Sequence, residues 1–170
     1  MRALWLVGMM GSGKTTVGEL IARRTGLVFV DTDSVIEAAS DRAISSIFET
    51  DGEEAFRDLE ADCIDRIVAT GRDCVVATGG GIVLRPQNVS AMRSNGRVVW
   101  LMAGRDELAA RVDDSPARPL LFNQQTAQRL DALLVERAAA YAAAAHHTVD
   151  TAAKSPEDVA REVILLWDGS

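Results

Sequence analysis

Lysine is almost missing from this chain: its 170 residues include Lys14 and Lys154 alone, against sixteen arginines. Cysteine is as scarce, and Cys63 and Cys74 make neither a CxxC motif nor a metal-ligand spacing. A disulfide framework is therefore excluded as the organising principle, and two buried free thiols are expected. The two histidines, His146 and His147, have no partner ligands at metal spacing and receive no function. No apolar run is long enough to span a bilayer. No charged-then-apolar leader pattern precedes a cleavage site, because the first apolar run leads straight into a glycine-rich loop. A cytoplasmic location is expected. There is no excess of basic charge: the net charge of −7 argues against nucleic acid or an anionic membrane as partner. Internal repeats, low-complexity linkers and boundary signals are also absent. With 48% hydrophobic and 25% charged residues, residues 1–170 are expected to form one domain with a sizeable core. Nothing suggests an extensive apolar surface, so a monomer is expected.

One of the two lysines lies in the most informative stretch, Gly8-Met9-Met10-Gly11-Ser12-Gly13-Lys14-Thr15. It fits the phosphate-cradling pattern G-x-x-x-x-G-K-[ST] at every fixed position. The apolar run Ala3 to Val7 before it reads as a buried strand, and Thr15 to Arg24 after it reads as a helix with Val17, Leu20 and Ile21 apolar. Triphosphate oxygens need backbone N–H groups converging on one small concavity, which side chains would block. The helix N-terminus adds unpaired N–H groups and a positive dipole end. Lys14 is a compact charge for the β- and γ-phosphates, and the Thr15 hydroxyl suits Mg²⁺.

Along the rest of the chain, short apolar runs alternate with helical patterns. Leu27 to Val30 reads as a second short buried strand, and Asp73 to Thr78, Arg97 to Met102 and His147 to Val149 read as further strands. Helical patterns start at Ser34, cover Asp41–Thr50 (with Ile44, Ile47 and Phe48 inward) and Glu53–Thr70, and recur from Pro86, over Asp106–Val112 and Ala127–Ala145, and from Pro156 to Trp167. Wholly apolar strands fit a sheet covered on both faces. The expected fold class is α/β: a doubly wound, five-stranded parallel sheet between helical layers.

Ligands of such sheets bind beyond the carboxyl ends of the strands. Strand one ends in the phosphate loop, strand two in Asp31-Thr32-Asp33, and strand three in Gly79-Gly80-Gly81. Asp31 and Asp33 suit a Mg²⁺ site or acceptance of a proton from an attacking hydroxyl, though Asp33 alone would also serve as a helix cap. Arg57 and Arg137 fall on or beside apolar helix stripes. Each is either salt-bridged or aimed at an anionic ligand, and together in an acidic protein they suggest a carboxylate-bearing substrate. The proline-bearing stretch 113–126 has the length of a lid or a disordered connector, with Arg118 between Pro116 and Pro119 and Arg111 just before it.

With these motifs assembled, the chain resembles the shikimate kinases, small members of the nucleoside-monophosphate-kinase-like group of P-loop proteins. The resemblance is carried by residues 8–15, Asp-Thr-Asp 31–33, Gly-Glu-Glu-Ala-Phe-Arg 52–57, Ala-Thr-Gly-Gly-Gly 77–81, Arg-Pro-Leu-Leu 118–121 and Arg-x-x-x-Tyr 137–141. It implies a three-layer α/β/α fold, a substrate-binding region over about 33–61 and a lid over about 113–126. It also implies ATP-dependent phosphorylation of the shikimate 3-hydroxyl, on the route to chorismate and the aromatic amino acids, with Mg²⁺ as cofactor and ATP and shikimate as binding partners. By resemblance, Gly11, Ser12, Gly13, Lys14, Thr15, Thr16, Arg111 and Arg118 hold the nucleotide, and Thr15 and Asp31 place Mg²⁺. Asp33, Arg57, Gly79, Gly80, Gly81 and Arg137 hold shikimate, while Lys14, Asp33 and Arg118 are the catalytic set. The competing expectations are a same-fold kinase for gluconate or a nucleoside monophosphate, and a nucleotide-binding regulator without catalysis.

Overall fold

In the computed structural model, residues 2–105, 107–108 and 124–169 are described, with the side chains of 124–131 excepted. The strands are β1 (Ala3–Val7), β2 (Val28–Asp31), β3 (Cys74–Ala77), β4 (Gly96–Met102) and β5 (His147–Asp150). All pair in parallel, in the order β2-β3-β1-β4-β5. The main helices are α1 (Lys14–Thr25), α2 (Thr32–Ser40), α3 (Ile44–Thr50), α4 (Gly52–Ala69), α5 (Pro86–Ser94), α6 (Gln124–Ala144) and α7 (Pro156–Asp168).

Strand β1 shows why the layers form. All five of its residues are fully buried, and successive side chains point to opposite faces. Ala3, Trp5 and Val7 enter one core with Phe56, Ile64, Met92 and Tyr141, beneath α4, α5 and α6. Leu4 and Leu6 enter the other with Ile21, Val75 and Val163, beneath α1 and α7. The result is an α/β/α sandwich around a doubly covered sheet.

Two expectations need correction. Strand β2 is an edge strand: Val28 is 56% exposed and the next three residues are only half-buried, because β3 covers one side alone. Phe48 is not inward. It is 38% exposed and lies against Phe56, with ring centroids 4.7 Å apart. The free thiols are buried as expected, and burial pushes Cys63 up to about 11. Of the stretch 113–126, residues 124–126 belong to α6; its remainder, including Arg118, and also Arg111 and most of the helix expected over 106–112, lie outside the described residues.

His146 closes the β4–β5 ladder. Its Nδ1 accepts the Val98 N–H at 3.0 Å, and its own backbone N–H donates to the Val98 carbonyl at 2.8 Å. The first bond requires the neutral ring. Partial burial, then Arg93, Arg97 and His147, lowers its pKa below 6.5. The unfolded chain therefore takes up this proton first, and stability is lost as pH falls below 6.5 through the folded value. Calorimetric melting between pH 7.5 and 5 should show this loss, at less than about 1 kcal/mol and so under about 4 °C, for a half-buried group. His146→Asn, which keeps an acceptor without titrating, should lack this component.

Candidate active site

The carboxyl ends of β2, β3 and β1 lie side by side, Asp31 opposite Ala77 and Leu6 opposite Ala77. Beyond them opens a cavity of about 650 Å³. Its floor is the phosphate loop. The loop leaves the sheet at Gly8, where φ is +145° and a Cβ would stand 2.6 Å from the Leu101 carbonyl of β4, so no side chain is possible. Gly13 (φ 90°) forms the N-cap of α1, whose first turn lines the cavity with N–H groups that no helical carbonyl can satisfy.

Lys14 is 9% exposed, and its Nζ donates to the carbonyls of Gly8 (2.9 Å) and Met9 (2.8 Å). Burial lowers its pKa from 10.5 to about 8, against the opposing pull of Asp33 and Asp31. Thr15 Oγ1 donates to Asp31 Oδ2 at 2.9 Å, bringing together the two side chains expected at a metal. Asp31 Oδ1 accepts the N–H groups of Asp33 (3.0 Å) and Ser34 (3.3 Å). Asp31 is thus the cap of α2, and the capping role open to Asp33 is not the one it has: Asp33 lies in the first helical turn and lines the cavity. Between them, fully buried Thr32 accepts the Gly79 N–H on its Oγ1 at 3.0 Å.

The glycine triplet is explained by its neighbours. A Cβ on Gly79 would meet Glu60 Oε1 at 2.7 Å and Asp33 Oδ1 at 2.9 Å, and one on Gly81 would occupy the Arg57 guanidinium. Gly80 is less crowded, its nearest neighbours lying 3.6 Å or more from such a Cβ. Arg57 is buried and pairs with Glu60 at 2.6 Å and Glu53 at 2.8 Å, so it has protein anions already. Half-buried Arg137 donates from Nη1 to the Gly80 carbonyl at 3.4 Å, and its buried Nε has no hydrogen-bond partner. The structure thus brings Lys14, Thr15, Asp31, Asp33 and Gly80 to one cavity, with Gly79, Gly81, Arg57 and Arg137 in its adjoining wall.

Three residues of this wall escape sequence reasoning. Glu60 is fully buried, its pKa raised by burial against the pull of Arg57. Its one sequence signal is a glutamate three residues after Arg57 on the same helix face. Thr32 sits unremarked between two carboxylates. Tyr141 is visible only as part of a motif, yet it is 1% exposed and donates its hydroxyl to the Gly80 carbonyl.

A phosphate loop at the end of a central parallel strand, opening into a polar cavity with carboxylates, defines a P-loop kinase. Solved structures agree. A shikimate kinase from Acinetobacter baumannii, in complex with shikimate, superposes with a TM-score of 0.88 at 35% identity, covering 98% of this chain and 92% of its own. A gluconokinase from Sinorhizobium meliloti shares the fold alone, with a TM-score of 0.64 at 17% identity. The family model "Shikimate kinase" matches residues 10–167. The shikimate kinase of Symbiobacterium thermophilum is 46% identical over 161 residues, spanning 94% of this chain and 92% of that protein. That of Thermodesulfovibrio yellowstonii is 40% identical over 168 residues, spanning 99% and 96%. The chain belongs to the shikimate kinase family.

Two outcomes follow from the geometry. Lys14 loses its proton through about pH 8 in the free protein, whereas a polyphosphate favours the protonated form. Calorimetric titration should show the ATP Kd rising above pH 8 by up to about tenfold per pH unit, the limit for one linked proton. Lys14→Met should bind with no such slope. Within the triplet, Gly81→Ala should force Arg57 off buried Glu60 and destabilise by about 3 kcal/mol. Gly80→Ala should cost under about 1 kcal/mol in the same urea titration.

Proposed function

We propose that the chain transfers the γ-phosphoryl group of ATP to the 3-hydroxyl of shikimate, giving shikimate 3-phosphate and ADP. The observation that carries this reading is the family match over residues 10–167, a range that takes in most of the phosphate loop, the glycine triplet and nearly all of α7. The triphosphate lies on the loop N–H groups, and Lys14 exchanges two backbone carbonyls for phosphate oxygens. Asp33 faces the acceptor hydroxyl and orients it or takes its proton. Arg137, with Arg57 behind it on Glu60, meets the acceptor carboxylate as a planar two-pronged donor. Little covalent chemistry is asked of these groups; they align two oxygens with phosphorus and offset charge.

The neighbouring Thr15 hydroxyl and Asp31 carboxylate are oxygen donors that fit Mg²⁺, which keeps waters and binds through few protein ligands. When bound, the ion neutralises charge on the β- and γ-phosphates. Among the described residues no group of three or more His, Cys, Asp or Glu is arranged to hold a metal. Residues 1–170 act as one domain, with 33–61 receiving the acceptor and 113–126, bearing Arg118, closing over the phosphates; Arg111 contacts the nucleotide. Among the described residues no helix is long and apolar enough to cross a membrane. We place the protein in the cytoplasm as a monomer, without nucleic-acid or membrane partners.

A coupled ADP-release assay with shikimate, gluconate and a nucleoside monophosphate tests the reading. Shikimate should give the highest kcat/KM, and Arg137→Ala should raise the shikimate KM about 10- to 100-fold while barely moving that for ATP. Faster turnover of another acceptor, or an inactive protein that still binds ATP, would overturn it.

A further inference from the structure

Tyr141 is the only tyrosine in the chain, and nothing in the proposed reaction uses it. Its ring is 1% exposed and stacks on Trp100, with centroids 5.6 Å apart and planes 22° from parallel. A phenylalanine would fill that space equally well. The hydroxyl is what distinguishes it: Oη donates to the Gly80 carbonyl and lies 3.6 Å from Met9 Sδ in the phosphate loop.

The same carbonyl oxygen is also the acceptor for Arg137, one turn earlier on α6 and so on the same helix face. Arg137 Nη1 stands 3.4 Å away, long for a charged donor, whose bonds close to about 2.8 Å when nothing prevents them. The tyrosine hydroxyl already takes one acceptor site of the Gly80 oxygen and also interacts directly with the Arg137 guanidinium. Without the hydroxyl, Arg137 keeps its contact to that oxygen and loses its competitor there.

We propose that Tyr141 is a positioning residue for acceptor binding: its hydroxyl satisfies the Gly80 carbonyl and thereby keeps the Arg137 guanidinium available to the acceptor's carboxylate. This rests on the reading of Arg137 as a carboxylate-binding residue. Tyr141 touches neither substrate in this scheme. It sets how much of the arginine's donor capacity is spent on the protein before the acceptor arrives.

The test is a double-mutant cycle in the full chain, with steady-state kinetics for both substrates. Tyr141→Phe should raise the shikimate KM about three- to tenfold, with the ATP KM and the melting temperature nearly unchanged. In an Arg137→Ala background the same substitution should move the shikimate KM less than about twofold, because the group it acts through is gone. An unchanged shikimate KM in Tyr141→Phe, an equal effect in both backgrounds, or a matching rise in the ATP KM would overturn the proposal.

A second measurement does not depend on the variant folding. Growth on 3-fluorotyrosine labels one site only, because Tyr141 has no sister tyrosine. Shikimate should shift the single ¹⁹F resonance of the labelled protein and leave it in place in labelled Arg137→Ala; a resonance indifferent to shikimate in both overturns the role. The unmutated enzyme separates the two ideas. If it phosphorylates shikimate while Tyr141→Phe keeps its KM, the tyrosine role alone fails. If it neither turns over shikimate nor shows a ¹⁹F response to it, the acceptor reading fails and this inference with it.

Discussion

The site depends on how the chain leaves strand β1. That strand is central, with β3 and β4 hydrogen-bonded on either side, so its continuation must rise out of a plane already full of backbone. At Gly8 the neighbouring Leu101 carbonyl leaves no volume for a β-carbon. The turn made possible there aims the next N–H groups at one point and starts α1 directly behind them. The exit at Gly8 thus builds the phosphate cradle, and the adjacent strand ends supply the cavity walls: the acidic turn of β2 and the glycine triplet of β3.

Electrostatics shape the second half of the site. In a protein of net charge −7, cations facing an anion-binding cavity have to be installed against the general field. Lys14 is held by two carbonyl dipoles rather than a carboxylate, so no strong ion pair must be broken for phosphate to replace them. Arg57 is treated in the opposite way. Its pairing with buried Glu60 and peripheral Glu53 fixes the guanidinium against Gly81, at the desolvation cost that any buried ion pair carries. One cation is left exchangeable and the other is anchored.

Much of this was legible in the residues. The alternation of apolar runs with helical patterns told that the sheet is parallel, and parallel strands bring like ends to one edge. Local motifs therefore converted directly into a three-dimensional neighbourhood. Contacts that depend on packing were harder to read. Asp31 and Asp33 are interchangeable as candidate caps until the backbone enters α2, where the extended conformation of Asp31 makes it the acceptor. The glycine triplet reads as room for a ligand, whereas two of its three positions are also required by the side chains of Glu60, Asp33 and Arg57. Strand β2 has a core-like composition at a sheet edge, and composition does not reveal strand order.

The strand order also bears on how the protein is made. The central strand is the first to be synthesised, but both of its partners come late; the bond from the Thr78 hydroxyl to the Leu6 carbonyl spans 72 residues. Until β3 and β4 have emerged, the most hydrophobic strand of the molecule has nothing to pair with. Closing such long loops is entropically slow. Strand β1 therefore stays an exposed apolar segment until chain made well after it supplies both neighbours, so its burial waits on long-range closure rather than on local structure.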